Sequence, residues 1–201
     1  MAEKKSSWDL AKGEQLRLKQ EALLEEAAIL FNHKGYSATS LEDIAERLNI
    51  TKTAIYHYVK NKSDLLYQCY LRAMDATEEC YEKADASGAN GLEKIVHYLR
   101  LDAASGLIAM TPLSELDSIK NETARNKLAA RLDQCEIQFQ NFIIEGIKDG
   151  SIAECDPKMT MQFILGASRW TMKWYSPKGQ KALSEIVENF LTFVLKGLIP
   201  R

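Results

Sequence analysis

The scarcity of helix breakers is the feature that most limits the folds open to this chain. Its 201 residues include only four prolines and ten glycines, and most of these lie between long stretches rich in Leu, Ala, Glu and Lys. These residue types favour helices, and the apolar positions recur at steps of three and four. The sequence therefore predicts an all-α protein of about nine helices.

Composition narrows the class of protein further. Apolar residues make up 46% of the chain and charged residues 27%, which is an ordinary balance for a globular protein. No apolar run approaches the ~18 residues that a membrane span needs, and the polar start of the sequence contains no signal-peptide core. We expect a cytoplasmic protein with no membrane partner.

The cysteines and histidines show no pattern of a metal site. The four cysteines form no C-x-x-C pair, and the three histidines lie far from one another along the chain. We expect no metal and no cofactor, and we expect reduced thiols in or near helix cores. A redox-sensing thiol is the alternative. The cysteines are Cys69, Cys80, Cys135 and Cys155.

The most informative segment begins where the first long helix ends. Apolar residues between about 15 and 34 recur on one side of a helix. Gly35 follows, and glycine is the usual residue for the left-handed position that ends a helix. The sequence predicts a first helix that stops at this glycine.

Two short helices follow, joined by a tight turn. Thr39 and Glu42 have the spacing of a capping box, which predicts the start of a second helix that runs to about residue 48. Asn49 suits a left-handed turn residue. Thr51 is a second N-cap, for a third helix over about 52–59.

Two short helices connected in this way are typical of a helix-turn-helix, whose second helix enters the DNA major groove. The stretch 52–62 contains three lysines, no acidic residue and interleaved aromatic residues. Such a patch suits contacts with phosphates. A solvated helix end has a similar composition, so the patch alone does not establish DNA binding.

The segment 28–65, AILFNHKGYSATSLEDIAERLNITKTAIYHYVKNKSDL, resembles the signature of the TetR family of transcription regulators. It departs from the family pattern at Leu48-Asn49, where Ala-Gly is usual, and at Val59, where Phe is usual. The matching residues are Phe31, Gly35, Tyr36, Thr39, Asp43, Ile44, Ala45, Tyr56, Tyr58, Lys62 and Leu65.

The resemblance implies an N-terminal arm and helix-turn-helix DNA-binding domain over 1–60 and a ligand-binding and dimerisation domain over 61–201. The implied function is that of a homodimeric repressor, released from a palindromic operator in double-stranded DNA by a small-molecule effector. An activator of the same fold, a helical adaptor and an all-helical lipid-binding enzyme are the alternatives. The sequence lacks a glycine-rich phosphate loop, a nucleophile elbow and paired histidine ligands, so we do not expect an enzyme or catalytic residues.

The candidate DNA contacts fall into two groups. Hydroxyl side chains at the starts of helices are suited to contacts with phosphates, and the resemblance implies phosphate contacts for Tyr58 and Lys62. Side chains from the first turns of the third helix are suited to contacts with base edges. The alternative for Tyr56 is that its side chain packs beneath the third helix. The alternative for His57 is that it lies on the surface and contacts no DNA. The candidates are Thr39, Thr51, Lys52, Thr53, Ala54, Tyr56, His57, Tyr58 and Lys62.

The last two helices, about 157–175 and 179–197, are the predicted dimer interface. The resemblance implies that they pair with their copies across a two-fold axis. Small residues on one helix permit close approach, and the other has an apolar stripe broader than one neighbour needs. A purely internal core is the alternative. The candidates are Gly166, Leu183, Val187, Phe190, Leu191 and Val194.

Apolar and aromatic residues on the middle helices are the candidate effector site. The segment Trp174-Tyr175-x-Pro177-x-Gly179 resembles one in family members that respond to acyl-CoA thioesters, which implies a large acyl effector. Arg169 and Lys173 are candidate anchors for its phosphate or carboxylate. Packing in the core is the alternative for the aromatic residues. The candidates are Met74, Tyr98, Leu101, Phe139, Phe163, Arg169, Trp170 and Trp174.

Overall fold

The computed structural model describes residues 7–105, 115–175 and 179–200, with side chains from residue 14 onward except 172 and 173. Within these ranges it consists of eight α-helices and one 3-10 turn, with no strand, which confirms the all-α prediction. The elements are α1 Ser7–Lys34, α2 Leu41–Arg47, α3 Lys52–Ile55, α4 Lys62–Ser87, α5 Gly91–Ala104, the 3-10 turn Leu116–Ser118, α6 Glu122–Asp149, α7 Pro157–Trp174 and α8 Leu183–Leu198.

The sequence also predicts a short helix near 113–118, the sixth of the nine. Its described part is the 3-10 turn, and its first residues lie outside the described ranges. Pro177 of the acyl-CoA-like segment and the side chain of Lys173 lie outside them too. None of the helices in the described ranges combines the length and apolar content needed to cross a bilayer.

Local signals in the sequence mark several helix boundaries correctly. The side chains of Thr51 and Asp156 each accept a hydrogen bond from the backbone N–H three residues later, at 3.2 and 2.9 Å. Asn61 caps α4 in the same way, at 2.9 Å. Gly35 and Asn49 adopt positive φ angles of 88° and 53°, as a helix end and a tight turn require. The predictions for Gly35, Asn49 and Thr51 are confirmed.

The cap of α2 lies one residue later than predicted. Ser40 Oγ accepts from the Asp43 backbone N–H at 3.0 Å, and the Asp43 carboxylate accepts from the Ser40 N–H at 2.6 Å. Thr39 is only 1% exposed, and its hydroxyl donates to the Gly35 carbonyl at 2.8 Å. The predicted capping box of Thr39 and Glu42 is therefore wrong, because the end of α1 engages the threonine hydroxyl.

The recognition helix is shorter than its sequence pattern. Regular α3 ends at Ile55, and the chain continues in turns in which Tyr58 N–H donates to the Ile55 carbonyl at 2.9 Å. Val59 stays buried, so the apolar spacing that suggested a longer helix is satisfied by this tighter conformation.

Two apolar cores share two helices, α4 and α6. The first core joins α1, α2, α3 and the N-terminal half of α4 with Ile119 and the start of α6. The second joins the C-terminal half of α4 with α5, α6, α7 and α8. The predicted boundary at residue 60 thus marks the end of the recognition segment, whereas the core beneath that segment extends into α4 and α6.

The crossing of α5 and α6 depends on a glycine. A Cβ atom on Gly91 would lie 2.2 Å from the Gly146 backbone nitrogen and 2.3 Å from the Phe142 carbonyl oxygen. The Gly91 N–H also donates to the Asp149 carboxylate at 2.9 Å. The absence of a side chain at Gly91 lets the start of α5 touch the backbone of α6.

We expect Gly91→Ala to lower the free energy of unfolding by at least about 1–3 kcal/mol, because the methyl group overlaps backbone atoms of α6. Urea denaturation at one fixed protein concentration measures this change. Gly197→Ala is the control: that glycine is helical and its Cβ position is open, so alanine should stabilise the helix by up to ~1 kcal/mol. Equal stability of Gly91→Ala and the unmodified protein would contradict the close approach.

Candidate nucleic-acid interface and effector site

The recognition segment presents a continuous polar surface. Thr51, Lys52, Thr53 and His57 are exposed and Ala54 is half-buried, while Ile55 and Val59 anchor the segment in the first core. The structure thus brings these five candidate contacts to one face. We refer to the exposed side of residues 51–58 as the recognition face.

The tyrosines at the end of this segment differ in exposure. Tyr56 is 49% exposed, so it lies on the recognition face and does not pack beneath it. Tyr58 is half-buried against the first core. Thr39 lies apart from both because it is buried, and its hydroxyl is not available to a phosphate. The structure therefore contradicts the prediction for the Thr39 side chain.

Lys62 lies beside the recognition face in a fixed position. Its Nζ atom is 4.2 Å from the centroid of the Tyr36 ring and donates to the Ser37 carbonyl at 3.4 Å. Partial burial lowers the pKa of Lys62 from its usual value, and the negative charge of Glu115 opposes this shift. A lysine held in this way presents its charge next to the turn between α1 and α2.

Lys52 on the recognition face is paired with an acidic residue. Its Nζ atom lies 2.5 Å from Oε1 of Glu42, which is the second residue of α2. The hydrogen bond lowers the pKa of Glu42 and raises the pKa of Lys52. The sequence analysis missed this role of Glu42 because its spacing from Thr39 had placed it in a capping box.

The interior of the second core contains a stack of aromatic rings. The rings of Tyr81 and Tyr98 lie 4.2 Å apart at an interplanar angle of 23°, and Phe139 meets Tyr98 edge-on at 5.6 Å. All three side chains are buried, and desolvation raises the pKa of both phenols. We call these three residues the aromatic cluster.

Two opposite charges lie next to the aromatic cluster. Desolvation raises the pKa of Asp102 to about 6, and the positive charge of Arg169 opposes the shift. The same guanidinium favours the ionised forms of Tyr81 and Tyr98. Arg169 on α7 and Asp102 on α5 therefore lie near the same rings, in a poorly solvated environment.

The structure brings together three of the predicted effector residues, Tyr98, Phe139 and Arg169. The sequence analysis missed Tyr81 and Asp102, although Asp102 lies one helical turn after Tyr98 and shares its helix face. Leu101 is partly buried against the second core, whereas Met74 is buried in the first core, apart from the aromatic cluster.

The remaining predicted effector residues lie on the outside. Phe163 is 75% and Trp170 67% exposed, and Trp174 is also exposed, so these side chains do not line the interior. Met159 on α7 and Phe193 on α8 are exposed as well. We call these five residues the outer apolar face. Large exposed apolar side chains grouped in this way mark an interaction surface.

The predicted dimer residues divide between the core and the surface. Leu191 and Val194 are buried in the second core, and Val187 and Phe190 pack partly against it, which corrects the prediction for Leu191 and Val194 as interface contacts. Leu183 is half-buried, and Gly166 is exposed with open space beside its Cα atom. The buried residues of α8 are Leu191, Val194 and Leu198.

The thiols have the environment of structural cysteines. Cys69, Cys80 and Cys135 are buried and Cys155 is half-buried, with none in a disulfide. Burial raises the pKa of Cys69 to about 12 and that of Cys80 and Cys135 to about 11, which suppresses the reactive thiolate. In the part of the chain that the structure describes, no group of His, Cys, Asp or Glu side chains is arranged for a metal ion.

Comparison with known families agrees with this architecture. The family model described as bacterial regulatory proteins, tetR family, matches residues 23–69. The model described as tetracyclin repressor-like, C-terminal domain, matches residues 91–198, just over half of the chain. The chain belongs to the TetR family. The resemblance inferred from the helix-turn-helix segment is thereby confirmed.

The similar proteins are named as transcriptional regulators. The transcriptional repressor KstR2 of Rhodococcus jostii is 27% identical over 186 residues, which cover 88% of this chain and 89% of the relative. The fatty acid metabolism regulator protein of Bacillus subtilis is 26% identical over 191 residues, which cover 92% of this chain and 97% of the relative. Both relatives are named as regulators.

Solved structures share the fold. The ketosteroid regulator KstR2 of Mycobacterium tuberculosis superposes with a TM-score of 0.79 at 21% identity, covering 91% of this chain and 96% of that one. AibR, solved in complex with isovaleryl coenzyme A and operator DNA, superposes with a TM-score of 0.71 at 26% identity. The match covers 88% of this chain and 97% of the AibR chain.

Proposed function

We propose that this TetR-family protein is a homodimeric repressor that binds a palindromic operator and is released by an acyl-CoA effector. The observation that carries the proposal is the position of α4 between two surfaces. Its N-terminal half supports the recognition face, and its C-terminal half contributes Tyr81 to the aromatic cluster. One rigid helix thus joins a DNA-binding surface to an apolar interior.

The recognition face suits a DNA major groove. Lys52 and Thr53 stand on the first turn of α3, where a recognition helix contacts base edges. Lysine donates to guanine, and threonine offers a hydroxyl and a methyl group. Thr51, Tyr58 and Lys62 border this surface and suit phosphate contacts, which set the position of the protein on the duplex.

Two substitutions separate sequence readout from general affinity. We expect Thr53→Ala to reduce discrimination at one base pair by about 1–3 kcal/mol, whereas Lys62→Ala weakens binding to all duplexes and lowers the salt dependence by about one counterion. Fluorescence anisotropy with the duplex upstream of the protein's own gene and with a scrambled duplex, over a salt series, measures both effects. Unchanged binding by both variants would contradict the proposed interface.

The outer apolar face suits a second copy of this chain. Met159, Phe163, Trp170 and Trp174 recur at helical spacing on one side of α7, and Phe193 is a further exposed aromatic residue on α8. Gly166 lies between them in the sequence with no atom within 4 Å of its Cβ position, so another helix can approach closely there. A symmetric dimer through this face supplies the two recognition helices that a palindromic operator needs.

We expect Phe193→Glu to convert the dimer into a monomer, because the carboxylate would be desolvated at the interface. Size-exclusion chromatography with light scattering measures the molar mass. Leu18→Glu is the control, since Leu18 is an exposed leucine on α1 that does not belong to the outer apolar face. A dimer that survives Phe193→Glu as it survives Leu18→Glu would overturn this assignment of the interface.

The aromatic cluster and Arg169 suit an acyl thioester. Aromatic side chains offer an apolar surface to an acyl chain, and a guanidinium in a poorly solvated position binds a phosphate or carboxylate strongly. The isovaleryl coenzyme A complex of AibR and the similarity to a fatty acid metabolism regulator support this class of ligand. Asp102 disfavours an anion next to Arg169 when it is ionised, so binding should strengthen as the pH falls through about 6.

We expect Arg169→Gln to weaken binding of a long-chain acyl-CoA such as oleoyl-CoA at least about tenfold, which corresponds to ~1.4 kcal/mol, while DNA affinity without ligand is unchanged. Isothermal titration calorimetry measures the thioester affinity. Arg72→Gln is the matched control, because Arg72 lies in the groove between α1 and α4, outside the second core. Equal affinities of the two variants would remove Arg169 from the site.

A further inference from the structure

Glu42 is an acidic residue on the side of the helix-turn-helix that faces DNA in the proposed complex. It is exposed at the start of α2, and its carboxylate reaches across to Lys52 at the start of α3. The 2.5 Å contact fixes the one cation that lies on the first turn of the recognition helix. In the free protein Lys52 is therefore a paired charge.

The other acidic residues of α2 have different surroundings. Asp43 accepts hydrogen bonds from the backbone and hydroxyl of Ser40 and pairs with Lys34 at 3.1 Å, so it serves the cap of the helix. Glu46 is exposed, and its carboxylate makes no ion pair among the described residues. Glu42 thus differs from both neighbours in holding a residue of the recognition face.

We propose that Glu42 is a specificity-determining residue, which keeps Lys52 from phosphates and so weakens binding to non-specific DNA more than binding to the operator. The inference rests on the proposed operator binding. It assigns a role in sequence selection to a carboxylate that a purely electrostatic view of DNA binding would treat as unfavourable.

Base contacts do not require Lys52 to leave Glu42. A lysine ammonium has three hydrogen-bond donors, so Lys52 can keep its hydrogen bond to Glu42 and donate to a base acceptor such as guanine N7 or O6 at the same time. Operator binding through base edges is therefore compatible with the ion pair.

Phosphate contacts explain the effect on non-specific DNA. For Lys52 to neutralise a phosphate it must leave Glu42, and the freed carboxylate then adds repulsion from the duplex. Binding that depends on phosphates alone is therefore weakened by Glu42, whereas operator binding is weakened less. A residue that disfavours the wrong partner in this way raises the specificity ratio even if it adds little affinity.

The test compares Glu42→Gln with Glu46→Gln in the full-length protein. Both variants remove one negative charge from exposed positions of α2, one turn apart, and circular dichroism checks that both stay folded. The wild type first selects its preferred site from a randomised duplex library. Affinities for that site and for a scrambled duplex are then measured over a salt series.

We expect Glu42→Gln to bind the scrambled duplex about three to ten times more tightly, with a salt dependence steeper by about one counterion, because Lys52 becomes free to contact a phosphate. Its ratio of specific to scrambled affinity should fall about three- to tenfold, because operator binding does not need Lys52 to leave Glu42. Glu46→Gln should keep the ratio of the wild type within about twofold.

Equal ratios for the two variants would overturn the role of Glu42 while leaving operator binding in place. A wild-type protein that enriches no sequence from the library would overturn operator binding itself, and the role of Glu42 with it. The two failures are therefore distinguishable in one experiment.

Discussion

The continuity of α4 is the constraint on which the rest of the structure depends. This 26-residue helix places Leu65 and Leu66 in the core beneath the recognition segment and Tyr81 and Ala84 in the core of the larger domain. No break separates the two halves. A rotation or shift of its C-terminal half is therefore transmitted to the recognition face with little loss.

A second connection joins the two cores beside α4. Ser63 Oγ donates to the Ser118 carbonyl at 3.2 Å and accepts from the Lys120 N–H at 2.9 Å. Ile119, between them, is buried in the first core. The segment that leads into α6 is thus tied to the first turn of α4, so α4 and α6 together support the recognition segment.

The sequence predicts best what short-range hydrogen bonds decide. Gly35 and Asn49 are residue types that tolerate a positive φ angle, and Thr51 has a hydroxyl that can cap a helix. The structure confirms the predicted role of each residue. Thr39 and Ser40 are adjacent hydroxyl residues that both suit an N-cap. The choice between them depends on the carbonyl groups at the end of α1, which a local pattern does not contain.

Long-range packing explains the larger differences at the candidate effector site. Apolar spacing marks both the buried and the outer side of α7, so it does not distinguish Ile164, which is buried, from Phe163, which is exposed. Likewise, Leu191 and Phe193 belong to one apolar helix but face in different directions. Asp102 was missed because a single carboxylate becomes informative only when burial and a nearby arginine act on it.

The central claim is that one protein couples operator binding to an acyl thioester. The most direct test is a gel-shift assay with the DNA upstream of the protein's own gene, titrated with oleoyl-CoA and, separately, with free coenzyme A. The account predicts a sequence-specific complex that the thioester dissociates and free coenzyme A does not. A specific complex that is equally stable with and without the thioester would contradict it.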